Sequence, residues 1–182
     1  MKSEDLIRSY IDRCRAVNPH INAIIQDNFE NAINEAKQVD LRVQQELEGN
    51  GPIDESMSIH SQPFLGIPFT TKDSLAVKDM YWTAGLYARK GITAPKDADV
   101  IDLMKKSGAI FIAMTNVPEL VMWWDTYNKV YGRTYNPYDK SRICGGSSGG
   151  EGALIASAGS VIGVSFAFDF QLNIRKTNAM YR

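Results

Sequence analysis

Cysteine and histidine are scarce in this chain. Its 182 residues hold two of each, Cys14 and Cys144, His20 and His60. Their wide separation excludes the close-spaced pairs of a zinc centre and any disulfide framework, so no metal is expected and a reducing compartment fits. A surplus of charge of either sign is also missing. Twenty Lys plus Arg against twenty-one Asp plus Glu give a formal charge of −1, which leaves no excess of cations to hold a polyanion, and nucleic acid is not expected as a partner. No apolar run approaches the roughly 20 residues of a spanning helix. The N-terminus opens on Lys2, Ser3, Glu4 and Asp5 and does not read as a signal peptide. The expected location is therefore cytoplasmic, or peripheral to a membrane. What is present, 44% hydrophobic and 23% charged residues, is the balance of a globular protein able to bury a core.

Periodicity divides the chain into alternating helices and strands. Leu6, Ile7, Tyr10, Ile11 and Cys14 recur at three and four residues after Ser3, which predicts an amphipathic helix capped by Ser3 and closed at Asn18-Pro19. Residues 21–25 read as a strand. Phe29, Ala32, Ile33, Ala36, Val39, Val43 and Leu47 then line a second helix that Gly49-Asn50-Gly51-Pro52 ends. After a polar loop, residues 65–71 read as a strand that Pro68 confines to a sheet edge or a strand start. A third helix is expected from Asp97 as cap to Ser107-Gly108, followed by the apolar strand 109–114. Pro118 to Trp124 reads as a short helix, 151–158 as an Ala-rich helix and 161–164 as a strand. The expected fold class is α/β, a mixed sheet flanked by helices.

Two places hold chemistry. Gly145-Gly146-Ser147-Ser148-Gly149-Gly150 sets four glycines around two hydroxyls just before a helix-forming stretch, a composition that lets backbone turn tightly beside a ligand. A flexible connector has the same composition. It seldom runs straight into a small-residue helix and an apolar strand, however, and a phosphate cradle is excluded because no Lys-Ser/Thr pair follows Gly150. The second place is Lys72, at the end of a strand between Thr71 and Asp73. Taken alone, such a lysine is ordinarily solvated.

Order and spacing change that reading. Gly66-Ile67-Pro68-Phe69-Thr70-Thr71-Lys72-Asp73, Met114-Thr115-Asn116-Val117-Pro118-Glu119, Arg133-Thr134-Tyr135-Asn136-Pro137 and the glycine-flanked serines together resemble the amidase signature family. Cys144 before the glycines and Glu151-Gly152-Ala153-Leu154 after them are more similar to its fatty-acid amide hydrolase branch than to the subunit that feeds ammonia to misacylated tRNA. The resemblance implies hydrolysis of carboxylic amides, fatty-acid amides in this branch, by a lysine, a bridging serine in a cis peptide and a separate nucleophilic serine. It implies no cofactor. Lys72 matches the lysine and Ser147 the bridging serine, with Ser148 in a supporting role. A lysine accepts a proton only when neutral, so its ordinary pKa of about 10.4 must come down toward 7, a change worth about 4 kcal/mol that burial can supply. Met122, with Trp123 and Trp124, reads either as core or as the lining of an acyl-chain pocket. Asp73 reads as structural, pointing away from Lys72 on the alternate side of the strand.

The resemblance then stops. The family's nucleophile lies in a Gly-Gly-Ser stretch twenty-four residues beyond the bridging serine, and position 171 here is Gln. Residues 165–176 contain no Gly-Gly-Ser and lack the glycines whose N–H groups form the oxyanion hole. The chain therefore divides into residues 1–164, an N-terminal part of an amidase-signature domain, and a divergent tail, 165–182. An unfinished sheet is expected to leave the strand at 109–114 uncovered. Two further readings stay open, an inactive fragment that at most binds a partner, such as another copy of the enzyme, and the tRNA-dependent amidotransferase A subunit.

Overall fold

A computed structural model of the chain describes residues 1–49 and 58–165. In order the elements are α1 (Ser3–Ile21), β1 (Ile24–Asp27), α2 (Phe29–Leu47), β2 (Pro68–Lys72), α3 (Asp99–Lys106), β3 (Ile110–Thr115), β4 (Tyr127–Asn128), β5 (Gly132–Arg133), α4 (Gly149–Ala156) and β6 (Ile162–Val164). Single 3-10 turns occupy Tyr87–Arg89 and Glu119–Val121.

Helix ends depend on residues distant in sequence. Ser3 does not cap α1. The Asp40 carboxylate on α2 does so instead, accepting the Ser3 and Glu4 N–H groups at 2.7 and 3.0 Å, which ties the two helices together while satisfying orphan donors. At its other end α1 runs past Asn18-Pro19 to Ile21. Asn22, left-handed at φ 48°, donates its N–H to the Asn18 carbonyl, and the Asn18 side chain accepts the Ala23 and Ile24 N–H groups at 2.8 Å each. The last turn is thereby closed without the amide that Pro19 lacks. Asp97 likewise is not the cap of α3. Its carboxylate is occupied by the Lys78 N–H and the Lys105 ammonium, both at 2.7 Å. α2 has the expected bounds, although its expected face is buried only at Phe29, Ala32 and Ala36, and Leu47 is exposed.

The main sheet has the order β1-β3-β2-β6, with β1 antiparallel to β3 and the other pairings parallel. It is mixed, and both faces are covered. On one side Ile7, Ile11 and Cys14 of α1, Ala32 and Ala36 of α2 and Leu154 of α4 pack on Ile110, Ile112 and Ala113. On the other side Phe69, Phe111 and Met114 pack with Ile101 of α3, the two rings 5.6 Å apart at their centroids. Contrary to the expected bare edge, β3 is buried along its whole length between β1 and β2. Pro68 opens a central strand, where its missing donor costs nothing to the ladder.

Strict alternation fails once in β3. Register with β2 passes from Phe69↔Phe111 to Thr70↔Ala113, so Ile112 is an extra residue. Ile112 and Ala113 consequently face the same side, and the alternation beyond them is reversed, which brings Thr115 round to the side of α4. The bulge aims that threonine.

Core packing makes a direct prediction. Truncating the fully buried Ile112 to Ala is expected to lower unfolding free energy by about 2–5 kcal/mol in urea titration. Leu103→Ala, at a side chain exposed on α3, is expected to change it by about 0.5 kcal/mol or less.

Candidate active site

Lys72 ends β2 with no exposed surface. Thr70 and Lys72, two residues apart, project to the side of the sheet on which α4 lies, while Phe69 goes to the α3 side. The Lys72 Nζ lies 3.2 Å from the Ser147 Oγ and 3.0 Å from the Ser148 Oγ. The structure thus unites the three residues singled out in sequence, seventy-five and seventy-six positions apart, and the Gly146–Ser147 peptide is cis.

The glycine-rich segment is no loose connector. A Cβ on Gly146 would stand 2.3 Å from the Trp123 carbonyl oxygen, and one on Gly150 would stand 2.4 Å from that of Asn116. Backbone here lies directly on backbone, and only glycine permits it. Thr126 pins the turn from outside, its Oγ1 donating to the Gly145 carbonyl at 2.9 Å and accepting the Gly149 N–H at 3.1 Å. Helix α4 starts at Gly149, earlier than periodicity indicated, so Ser147 and Ser148 lie at its mouth.

Charge in this site is set by burial. Desolvation brings Lys72 down to about 8, against the opposing pull of the Glu151 charge. Glu151, wholly buried in the first turn of α4, is pushed up to about 7 by the same desolvation, with the Thr70 and Thr115 hydroxyls and Lys72 acting the other way. Its Oε2 accepts from Thr70 Oγ1 at 2.7 Å and its Oε1 from Thr115 Oγ1 at 2.8 Å. Asp73 is structural, as its place on the strand indicates. Its carboxylate accepts the Thr83 N–H at 2.7 Å, the Gly85 N–H at 3.3 Å and the Thr83 hydroxyl, and burial raises its pKa despite those donors.

Sequence reasoning missed Glu151, Thr70, Thr115 and Thr126 as parts of this constellation. A lone carboxylate inside the small-residue helix 149–156 was the available signal, since such a group, once buried, requires partners. Met122, Trp123 and Trp124 are 70%, 65% and 65% exposed, which overturns their reading as core. Leu120 and Val121 hold positive φ, so 118–124 forms a kinked 3-10 turn and not a regular helix. Asn116 is buried and bonds Gly132, Thr134 and Asn128; Glu119 is exposed. His20 lies in the last turn of α1, and both histidines are exposed. Cys14 belongs to the core. Burial and the Asp125 charge push the Cys144 thiol up to about 11, so it is no surrogate nucleophile. Gln171 and the rest of 166–182 lie outside the described residues. Among the described residues no cluster of His, Cys, Asp or Glu is placed to hold a metal ion, and no helix is long and apolar enough to cross a membrane.

A lysine released from its proton near 8 in the folded chain and near 10.5 in the unfolded one leaves the unfolded state holding the extra proton between those values. Stability must then rise with pH across that window. Urea titrations from pH 7 to 10.5 are expected to show this rise in the native chain and a weaker one in Lys72→Met, where the difference between the two isolates Lys72 from other titrating groups.

The Amidase family profile matches residues 5–165. Fatty-acid amide hydrolase 2 of Homo sapiens is 44% identical over 164 residues, covering 90% of this chain and 30% of that protein. The A subunit of the glutamyl-tRNA(Gln) amidotransferase of Coxiella burnetii is 33% identical over 157 residues, 86% of this chain and 30% of its own. A solved structure described as fatty acid amide hydrolase superposes with a TM-score of 0.78 at 24% identity, over 90% of this chain and 27% of that one, a likeness of fold. The chain thus spans about 30% of the length of the curated relatives it matches. With the profile extending over nearly all of the described residues, this chain belongs to the amidase family.

Proposed function

We propose that Lys72 and Ser147 are the catalytic proton relay of a hydrolase that cleaves carboxylic amides, fatty-acid amides in particular, through an acyl-serine. The carrying observation is a fully buried Lys72 Nζ within hydrogen-bond distance of both serine hydroxyls. In the neutral form this amine accepts a proton from the Ser147 hydroxyl while Ser147 takes one from an attacking serine, since a hydroxyl both donates and accepts. The ammonium then returns its proton along the same path to the departing amine. Ser148 supports the relay by holding Nζ from a second side.

The attacking serine is not supplied by residues 1–165. No Gly-Gly-Ser follows Gly150, and Gln occupies position 171, so the relay here is one half of a complete site. Met122 lies on the exposed loop whose next carbonyl packs on Gly146, close to the relay in the chain path, and it is the residue we assign to contact the acyl chain of the substrate. The fatty-acid branch is favoured over the amidotransferase by the higher identity, 44% against 33%. An inactive fragment that binds another copy of the enzyme is the reading favoured if the relay proves inert.

The purified chain alone is expected to take no fluorophosphonate label and to release no amine from a long-chain primary amide. Residues 1–165 joined to the remaining segment of human fatty-acid amide hydrolase 2 are expected to do both, with kcat/KM falling by about 10²–10⁴-fold in the Lys72→Ala form of the fusion. A folded fusion indifferent to that substitution overturns the relay; label on the unjoined chain overturns the external nucleophile.

A further inference from the structure

We infer that Glu151 is a positioning residue for the relay, its buried carboxylate governing the protonation of Lys72 from a clamp made by the Thr70 and Thr115 hydroxyls. The inference rests on the reading of Lys72 as the relay base and adds the group that decides when that base is free.

The clamp is built from every element around it. Glu151 lies three residues after Ser148, in the turn that carries the serines, and is wholly buried. Thr70 and Lys72 come from β2, and Thr115, opposite Lys72 in register, comes from β3 by way of the bulge. One threonine bonds each carboxylate oxygen. From the third strand, β6, Gly163 faces the same group without a side chain, and a Cβ there would stand 2.2 Å from the Glu151 Oε2. Three strands and a helix thus converge on one carboxylate. Two neutral hydroxyls satisfy it without neutralising it, so its charge is left to act on the ionisable group nearby.

That group is Lys72. β3 presents Thr115 and β6 presents Gly163, neither of which titrates, and α4 itself places Ile155 beside Gly163. The basic residue that α1 directs toward α4, Arg13, donates to the Ser157 carbonyl at the far end of the helix, 2.6 Å away. Asp73, the other buried carboxylate near Lys72 in sequence, is turned to Thr83 and Gly85. In a water-poor interior, a charge opposed to so few others acts strongly. An ionised Glu151 holds Lys72 as ammonium, and a protonated Glu151 releases it as amine. Burial raises the carboxyl far enough for both forms to be reached near neutral pH. A role in packing alone does not require the charge, because a glutamine oxygen can accept from a threonine as well.

The test reads Lys72 directly. In chain labelled with 13C at the lysine Cε, Glu151→Gln is expected to move the Lys72 titration midpoint down by about 1 pH unit or more. Thr115→Val, which withdraws one hydroxyl and makes the anion harder to form, is expected to move it the same way by less, and Thr115→Ser to restore it. A folded Glu151→Gln chain, judged by an unchanged amide spectrum, with the native midpoint overturns the inference. Should that variant not fold, equal midpoints for Thr115→Val and Thr115→Ser overturn it. If native Lys72 titrates where exposed lysines do, the relay reading and this inference fall together; a low native midpoint that Glu151→Gln leaves unmoved removes only the role of Glu151.

Discussion

A primary amine buried away from solvent is the constraint around which this structure is arranged. An ammonium buried in a sheet is stable only with opposing charge and acceptors at hand, and an amine useful as a base must not be held too firmly in that charged form. Lys72 meets both demands. Two hydroxyls receive its Nζ, and a carboxylate acts on it without an ion pair as close as those found elsewhere in the chain, such as Lys105 to Asp97 at 2.7 Å.

The fold provides this by placing β2 between β3 and β6 and covering its end with α4. A central strand gives its residues no route to solvent, so a lysine there cannot extend its head outward as surface lysines do. The glycine-rich turn then brings two serines over Nζ by packing backbone on backbone against residues 116 and 123. Side-chain bulk anywhere along that contact would lift the serines away. Rigidity and proximity have the same cause, the absence of Cβ atoms where two chain segments cross.

Much of this was legible in sequence, and the limits are physical. Helix α2, the apolar strand β3 and the covered sheet follow from periodicity, because burial of a continuous face is written in the spacing of apolar residues. Ser3, Asn18 and Asp97 misled, since a capping or helix-ending residue is read from local chain: Asp40 on another helix caps α1, Asn18 closes the last turn with its own side chain instead of stopping the helix, and the Asp97 carboxylate is taken up by Lys78 and Lys105. Lys72, Ser147 and Ser148 were found through ordered motifs and not through any pattern that places them in contact. Glu151 and its threonines were not found at all: polar residues in a strand or helix interior look like surface until tertiary packing encloses them. Met122, Trp123 and Trp124 show the converse, large apolar residues that hydropathy assigns to core and the fold leaves outside.

The bulge at Ile112 bears on how freely this region can vary. From Ile110 to Met114 every residue of β3 is apolar, so hydropathy there tolerates many exchanges, and the bulge absorbs one residue of length. Loss of Ile112 would restore strict alternation and leave Thr115 opposite Lys72, whereas one more residue between Ala113 and Thr115 would turn Thr115 toward α3, away from the carboxylate it now binds. Insertions beyond the bulge, when sequences are aligned, are therefore a more sensitive sign of a dismantled site than any substitution between small and large aliphatics.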